Sequence, residues 1–106
     1  MRADAADANV RLTAFVHGHV QQVGFRWWTR GQALELGLAG AATNMPDGRV
    51  CVTAEGPRQA CEELARRLAP EAELGEESKA YRRPGHVDFL AVQWGAARGV
   101  QGFVER

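Results

Sequence analysis

Along Val10-Arg11-Leu12-Thr13-Ala14-Phe15-Val16-His17 the side chains alternate, so Val10, Leu12, Ala14 and Val16 share one face of a strand. Gly18 to Gly24 follows as a loop with two glycines and the adjacent pair Gln21 and Gln22. From Phe25 the period changes. Phe25, Trp28, Thr29, Ala33 and Leu36 recur at helical spacing, which predicts a helix over 25–36. Gly37 stands where a glycine cap belongs, just past the last helical turn. Gly31 inside the helix costs about 1 kcal/mol relative to alanine.

Outward from this unit, a short strand over 38–43 runs into Asn44-Met45-Pro46-Asp47-Gly48, and Asp-Gly between two extended runs is a hairpin signal. The partner strand is Arg49 to Glu55. Gly56 and Pro57 close it, and Pro57 suits the first turn of a second helix. That helix turns Ala60, Cys61, Leu64, Ala65 and Leu68 inward and Arg58, Glu62, Glu63, Arg66 and Arg67 to water. Pro70 to Gly85 reads as a polar, charge-rich loop, in which Arg82 and Arg83 form a solvated turn. His86 to Trp94 is a fourth strand and Gly102 to Arg106 a short fifth. The order βαββαβ predicts an α+β, ferredoxin-like sandwich: an antiparallel sheet with two helices on one face.

With 106 residues, 45% of them apolar, the chain has room for one domain over 10–106, preceded by a flexible segment over 1–9. Thirteen basic and thirteen acidic residues cancel, which argues against a scaffold that coats nucleic acid by counterion release. The N-terminal residues lack the apolar core of a secretory signal, and no apolar run approaches the ~18 residues of a membrane span. Cys51 and Cys61 have no CxxC spacing and read as small buried hydrophobes of a reduced, cytoplasmic protein.

The chemistry-bearing run is Gly18-His19-Val20-Gln21-Gln22-Val23-Gly24-Phe25-Arg26. Unpaired N–H groups at a helix start favour an anion. Arg26 adds a planar fork that matches two phosphate oxygens, although it opposes the helix dipole; the plainer reading is a solvated arginine. Other features carry less. Cys61 and Arg67 have the spacing of cysteine-dependent phosphatases, but Cys61 falls on an apolar helix face beside Glu62 and Glu63. His17 and His19 make a poor metal pair, while His19 lies near the loop as a candidate substrate contact. Trp27, Trp28 and Trp94 read as packing residues.

Val16 to Arg26, with Ala33, Leu36-Gly37-Leu38, Gly40, Asn44 and Asp47-Gly48-Arg49-Val50, resembles the acylphosphatase family. Its signatures run approximately G-x-V-Q-G-V-x-F-R and G-x-x-x-N-x-x-D-G-x-V. The resemblance is close over 10–56 and looser beyond. It implies hydrolysis of a carboxyl phosphate to carboxylate and inorganic phosphate by a monomer without cofactor or metal, with neither nucleic-acid nor membrane partner. By position, Arg26 binds the phosphate, Asn44 orients the attacking water, and the main chain of Gly18, His19, Val20, Gln21, Gln22, Val23 and Gly24 cradles the anion. Gln22 departs from the signature glycine; if the backbone there needs a positive φ, the side chain costs about 1–2 kcal/mol. Ala41 replaces a common aromatic, and 70–85 is longer than the family pattern. Two alternatives stay open. One is a catalytically weakened anion- or ligand-binding module of the same fold. The other is a single-stranded RNA binder, against which neutral charge and the lack of aromatic-rich central strands count.

Overall fold

The alternation that begins near Val10 becomes an 11-residue strand, β1 (Asn9–His19). Its Leu12, Ala14 and Val16 are fully buried, while Thr13, Phe15 and His17 face the other side. The molecule is seen in a computed structural model, which describes residues 9–106. The flexible segment expected over 1–9 therefore lies outside the described residues except for Asn9, which opens β1. After β1 come α1 (Phe25–Glu35), β2 (Ala39–Asn44), β3 (Val50–Pro57), α2 (Arg58–Arg67), α3 (Glu71–Leu74), α4 (Glu77–Ala80), β4 (His86–Ala96) and β5 (Phe103–Glu105).

The five strands form one sheet in the order β4-β1-β3-β2-β5. The pairs β1–β3, β1–β4 and β2–β3 are antiparallel, as the hairpin and the βαβ halves require. The short β5 joins the outer edge of β2 in parallel, so the complete sheet is mixed. β1 is the strand that ties the sheet together: Val10 pairs with Gly56 on one side and Ala96 on the other, and His19 pairs with His86. Strand β4 lies at one edge and β5 at the other, so residues 97–102 must cross between them. Glu55 holds that crossing: Oε1 accepts the N–H groups of Gly99 (2.9 Å) and Val100 (3.2 Å), and Oε2 meets Arg11 Nη1 at 2.5 Å.

Both long helices cover the face that presents Leu12, Ala14, Val16, Val50, Val52 and Ala54. Phe25, Trp28 and Ala33 of α1 and Cys61 and Leu64 of α2 fill the space above them, with Leu68 just beyond α2. Each large apolar side chain taken from water contributes about 1.5–3 kcal/mol. Helix α1 stops as its sequence indicates. Gly37 has φ 75 and its N–H reaches Leu34 O, while the Leu38 N–H reaches Ala33 O at 2.8 Å.

Three local readings change. Residues 70–85 contain two short helices, each 4 residues long, in place of an irregular loop. Arg83 is not solvated: its side chain is fully buried and paired with Glu71. Trp28 packs in the core and Trp94 at the surface, with the Arg58 guanidinium 4.5 Å above its ring, as packing residues do, but Trp27 is 69% exposed.

Candidate functional site

The loop predicted over 18–24 begins two residues later. Gly18 and His19 belong to β1, where they pair with Val87 and His86 after an irregularity at His17. A long-range partner, β4, extends the strand past the point where local sequence shows a glycine. The loop proper is Val20 to Gly24. Val20 is 1% exposed and anchors it to the core. Gln21 reaches across to the β2–β3 turn, where its Nε2 donates to the carbonyls of Met45 (2.8 Å) and Arg49 (2.9 Å). That clamp is not evident from the sequence, because Gln21 and its acceptors are more than twenty residues apart.

Gln22 has φ 64 and Gly24 has φ 85, whereas Val23 between them keeps a negative φ. The positive φ anticipated at Gln22 is thus present, on an exposed residue. Alternation of left- and right-handed residues turns successive N–H groups toward a common point, and such a backbone nest is an anion-binding concavity. It runs directly into α1. The first intrahelical bond there is Trp28 N–H to Gly24 O at 3.0 Å, so the preceding N–H groups of Phe25, Arg26 and Trp27 have no helical partners. No side chain caps this end and no acidic residue occupies the first turn. The partial positive charge of the helix start is left uncompensated by the protein.

Arg26 and Asn44 meet at one atom. The main-chain oxygen of Arg106 accepts Arg26 Nη1 at 2.6 Å and the Asn44 N–H at 2.9 Å. The short β5 and the residue after it thereby hold the arginine of α1 beside the last residue of β2. Arg30, one turn further along α1, bonds Phe103 O at 3.2 Å and fixes the same strand. The contribution of Arg106 was not anticipated, since a parallel strand from the far edge has no local signal. A guanidinium carries five N–H donors, so Arg26 keeps most of its capacity for a ligand. Asn44 Oδ1 is buried and accepts no hydrogen bond from the protein. A buried acceptor without a partner costs free energy, and a small polar donor such as water would satisfy it. The turn that follows is braced by Asp47. Its carboxylate takes the Arg49 N–H (3.1 Å) and Arg49 Nε (2.8 Å), and the Arg49 backbone hydrogen bond holds its pKa below the usual value.

The other candidates lie apart. Cys61 is fully buried, its Sγ is 3.7 Å from Ala54 O, and burial pushes its thiol pKa up, opposite to what a nucleophile needs. Arg67 is engaged by Glu63, Gln32 and Glu35. His17 stacks edge-on against Phe89 at 5.2 Å, and His19 is exposed at the end of β1. Among the described residues no three His, Cys, Asp or Glu side chains cluster as a metal site, and no helix is long and apolar enough to cross a membrane.

A family model described as acylphosphatase matches residues 12–89. An acylphosphatase of Corynebacterium glutamicum is 66% identical over 97 residues, covering 92% of this chain and 97% of the relative. One of Saccharopolyspora erythraea is 55% identical over 107 residues, and the match covers 100% of both chains. Among solved structures, an acylphosphatase from Coxiella burnetii superposes with a TM-score of 0.80 at 23% identity, covering 99% of this chain and 100% of the other. At that identity the superposition speaks for the fold.

Proposed function

The chain belongs to the acylphosphatase family of enzymes, and from that membership we propose that it hydrolyses carboxyl phosphates at the nest of residues 20–24, Arg26 and Asn44. The phosphoryl group sits at the nest and the free N–H groups of α1, with Arg26 spanning two of its oxygens. Asn44 presents Oδ1 to a water and holds it in line with the bond to be broken. The water oxygen forms the new bond to phosphorus and its protons stay on the phosphate released, the bond to the acyl oxygen breaks, and its electron pair leaves on a carboxylate. Because that leaving group is weakly basic, positioning and charge stabilisation do the main work and the side chains need supply no strong base. An asparagine, which has no useful basicity, suits such a role.

The observation that carries this reading is the alternation of φ from Gln22 to Gly24, feeding an uncapped helix start that also bears Arg26. The same chemistry calls for no cofactor, metal or nucleic acid, and we take the working unit to be a cytoplasmic monomer. Turnover of a small aryl acyl phosphate by the purified chain tests the activity, with phosphate release as the readout. Arg26→Lys should lose about a hundredfold or more in kcat/KM while remaining folded, since an ammonium cannot reproduce the bidentate fork. Phosphate binding by the wild type without any turnover would favour the binding-module alternative instead.

A further inference from the structure

The most deeply buried charge among the described residues lies outside the site, in the segment between α2 and β4. Arg83 has no exposed side-chain surface. Its Nη1 donates to Arg67 O (2.9 Å) and Ala69 O (2.7 Å), and its Nη2 meets Glu71 Oε1 at 2.5 Å. The same Glu71 oxygen accepts the Val87 N–H at the start of β4. Trp28 of α1 donates from Nε1 to Tyr81 O at 2.8 Å. Residues 81–87 are thus fastened at Tyr81 to the helix that begins at the nest, at Arg83 to the C-terminal end of α2 and to Glu71, and at Val87 again to Glu71.

Buried pairs of this kind are weak contributors to stability, but a fork with three acceptors specifies geometry closely. Gly85 lies between the fastenings at Arg83 and Val87. It has φ 76, and a methyl group built on it would lie 2.2 Å from His19 O and 3.0 Å from Val23 Cγ2. One of those residues leads into the nest and the other is its central member. Arg82, with φ 56, takes a strained left-handed conformation just before this contact.

We propose that Gly85, held in place by the buried Glu71–Arg83 pair, is a positioning residue that backs the nest and aims its N–H groups at the phosphoryl group. The inference rests on the nest being the phosphate site. Absence of a side chain at Gly85 lets the 81–87 segment lie directly against the main chain at His19. A side chain there would push the nest inward or the segment outward, and either movement spoils a shared focus of several short hydrogen bonds.

The test is calorimetric titration of inorganic phosphate into the wild type, Gly85→Ala and Gly37→Ala. Gly37 has nearly the same backbone, φ 75, but open space around its Cβ position, and it lies at the opposite end of α1. Both variants should lose stability; only Gly85→Ala should weaken phosphate binding, by tenfold or more, with Gly37→Ala within twofold of the wild type. Equal phosphate affinity in folded Gly85→Ala, or an equal loss in Gly37→Ala, overturns the proposal. If Gly85→Ala does not fold, Glu71→Gln decides, because it removes the charge that holds the segment while keeping an acceptor oxygen. Threefold or weaker binding supports the proposal and wild-type binding overturns it. A wild type that binds no inorganic phosphate overturns the nest reading itself, a result distinct from either variant outcome.

Discussion

Gln22→Gly, read against Gln22→Asn and Gln22→Val, isolates the energetic weight of a single backbone angle. At φ 64 a glutamine carries a left-handed penalty of about 1–2 kcal/mol, which glycine does not. Glycine in turn loses about 0.5–1 kcal/mol through the greater freedom of the unfolded chain. The difference leaves a net stabilisation of about 0–1.5 kcal/mol, and each kcal/mol moves Tm by roughly 4–8 °C in a domain of this size. Gln22 is exposed, so packing should not blur the comparison. Asparagine tolerates the left-handed region better than glutamine, and a β-branched residue tolerates it worst. The expected order of Tm is therefore Gly, Asn, Gln, Val from highest to lowest. Whatever part of the strain is relieved as phosphate binds should appear in kinetics. Gln22→Gly should then raise kcat/KM by up to about tenfold, the equivalent of ~1.4 kcal/mol. Thermal melts and denaturant midpoints measure the first quantity, and initial rates on an aryl acyl phosphate the second. A fall in Tm for Gln22→Gly would refute the reasoning, because it would mean that the strain at glutamine is smaller than the entropy cost of glycine.

Asn44→Ala should depress kcat strongly while leaving inhibition by inorganic phosphate within about twofold, since the residue acts on water rather than on the anion; parallel loss of phosphate affinity would reassign it. Burial acts to raise the pKa of Glu55, but N–H groups of Arg98, Val100 and Gly99 and the Arg11 guanidinium outweigh it, and the net shift is downward from 4.5. A depressed carboxylate contributes stability above its unfolded pKa and loses it as pH falls through the folded value. Tm should therefore drop on acidification below about pH 4.5, and Glu55→Gln should start lower at pH 7 and show a shallower acid limb; identical acid profiles would remove Glu55 from the crossing. Activity should survive a chelator, and also thiol alkylation under native conditions, because Cys61 is sealed in the core and Cys51, only half-buried, is not part of the proposed site; loss on chelation with recovery on one added metal would overturn the mechanism.

Where order is written in neighbouring residues, the sequence could be read directly. Alternation in β1, the 3.6-residue period and Gly37 cap of α1, and Asp47-Gly48 in the hairpin turn all have local causes, and all are found where expected. What could not be read depends on partners far along the chain. Gly18 and His19 stay in β1 because β4 pairs with them. Arg83 looks like a surface residue until Glu71 and the carbonyls of Arg67 and Ala69 surround it. Helices α3 and α4 are too short for a periodic signal and owe their form to packing. At the candidate site, the left-handed Gln22 was legible through the family signature, and the signatures proposed Arg26 and Asn44 as candidates. The Gln21 clamp and the Arg106 oxygen were not, because no local pattern announces either.

The register of β1 also sets a timetable for recovery from denaturation. Only β2 and β3 are joined by a tight turn, and such a hairpin can close within about 1–10 μs. Asn44, at the foot of that turn, should pair with Val50 early, although its own N–H must wait for Arg106 O. The nest cannot, because the strand that delivers it must first find β3 across the helix α1 and then β4, with Val10 meeting Ala96. Closing such distant pairs defers their stabilisation and moves folding toward milliseconds to seconds. A refolding sample quenched partway should accordingly hold molecules with a formed hairpin and no affinity for phosphate. Ligand binding followed by stopped flow should then rise with the slowest tryptophan fluorescence phase rather than the first.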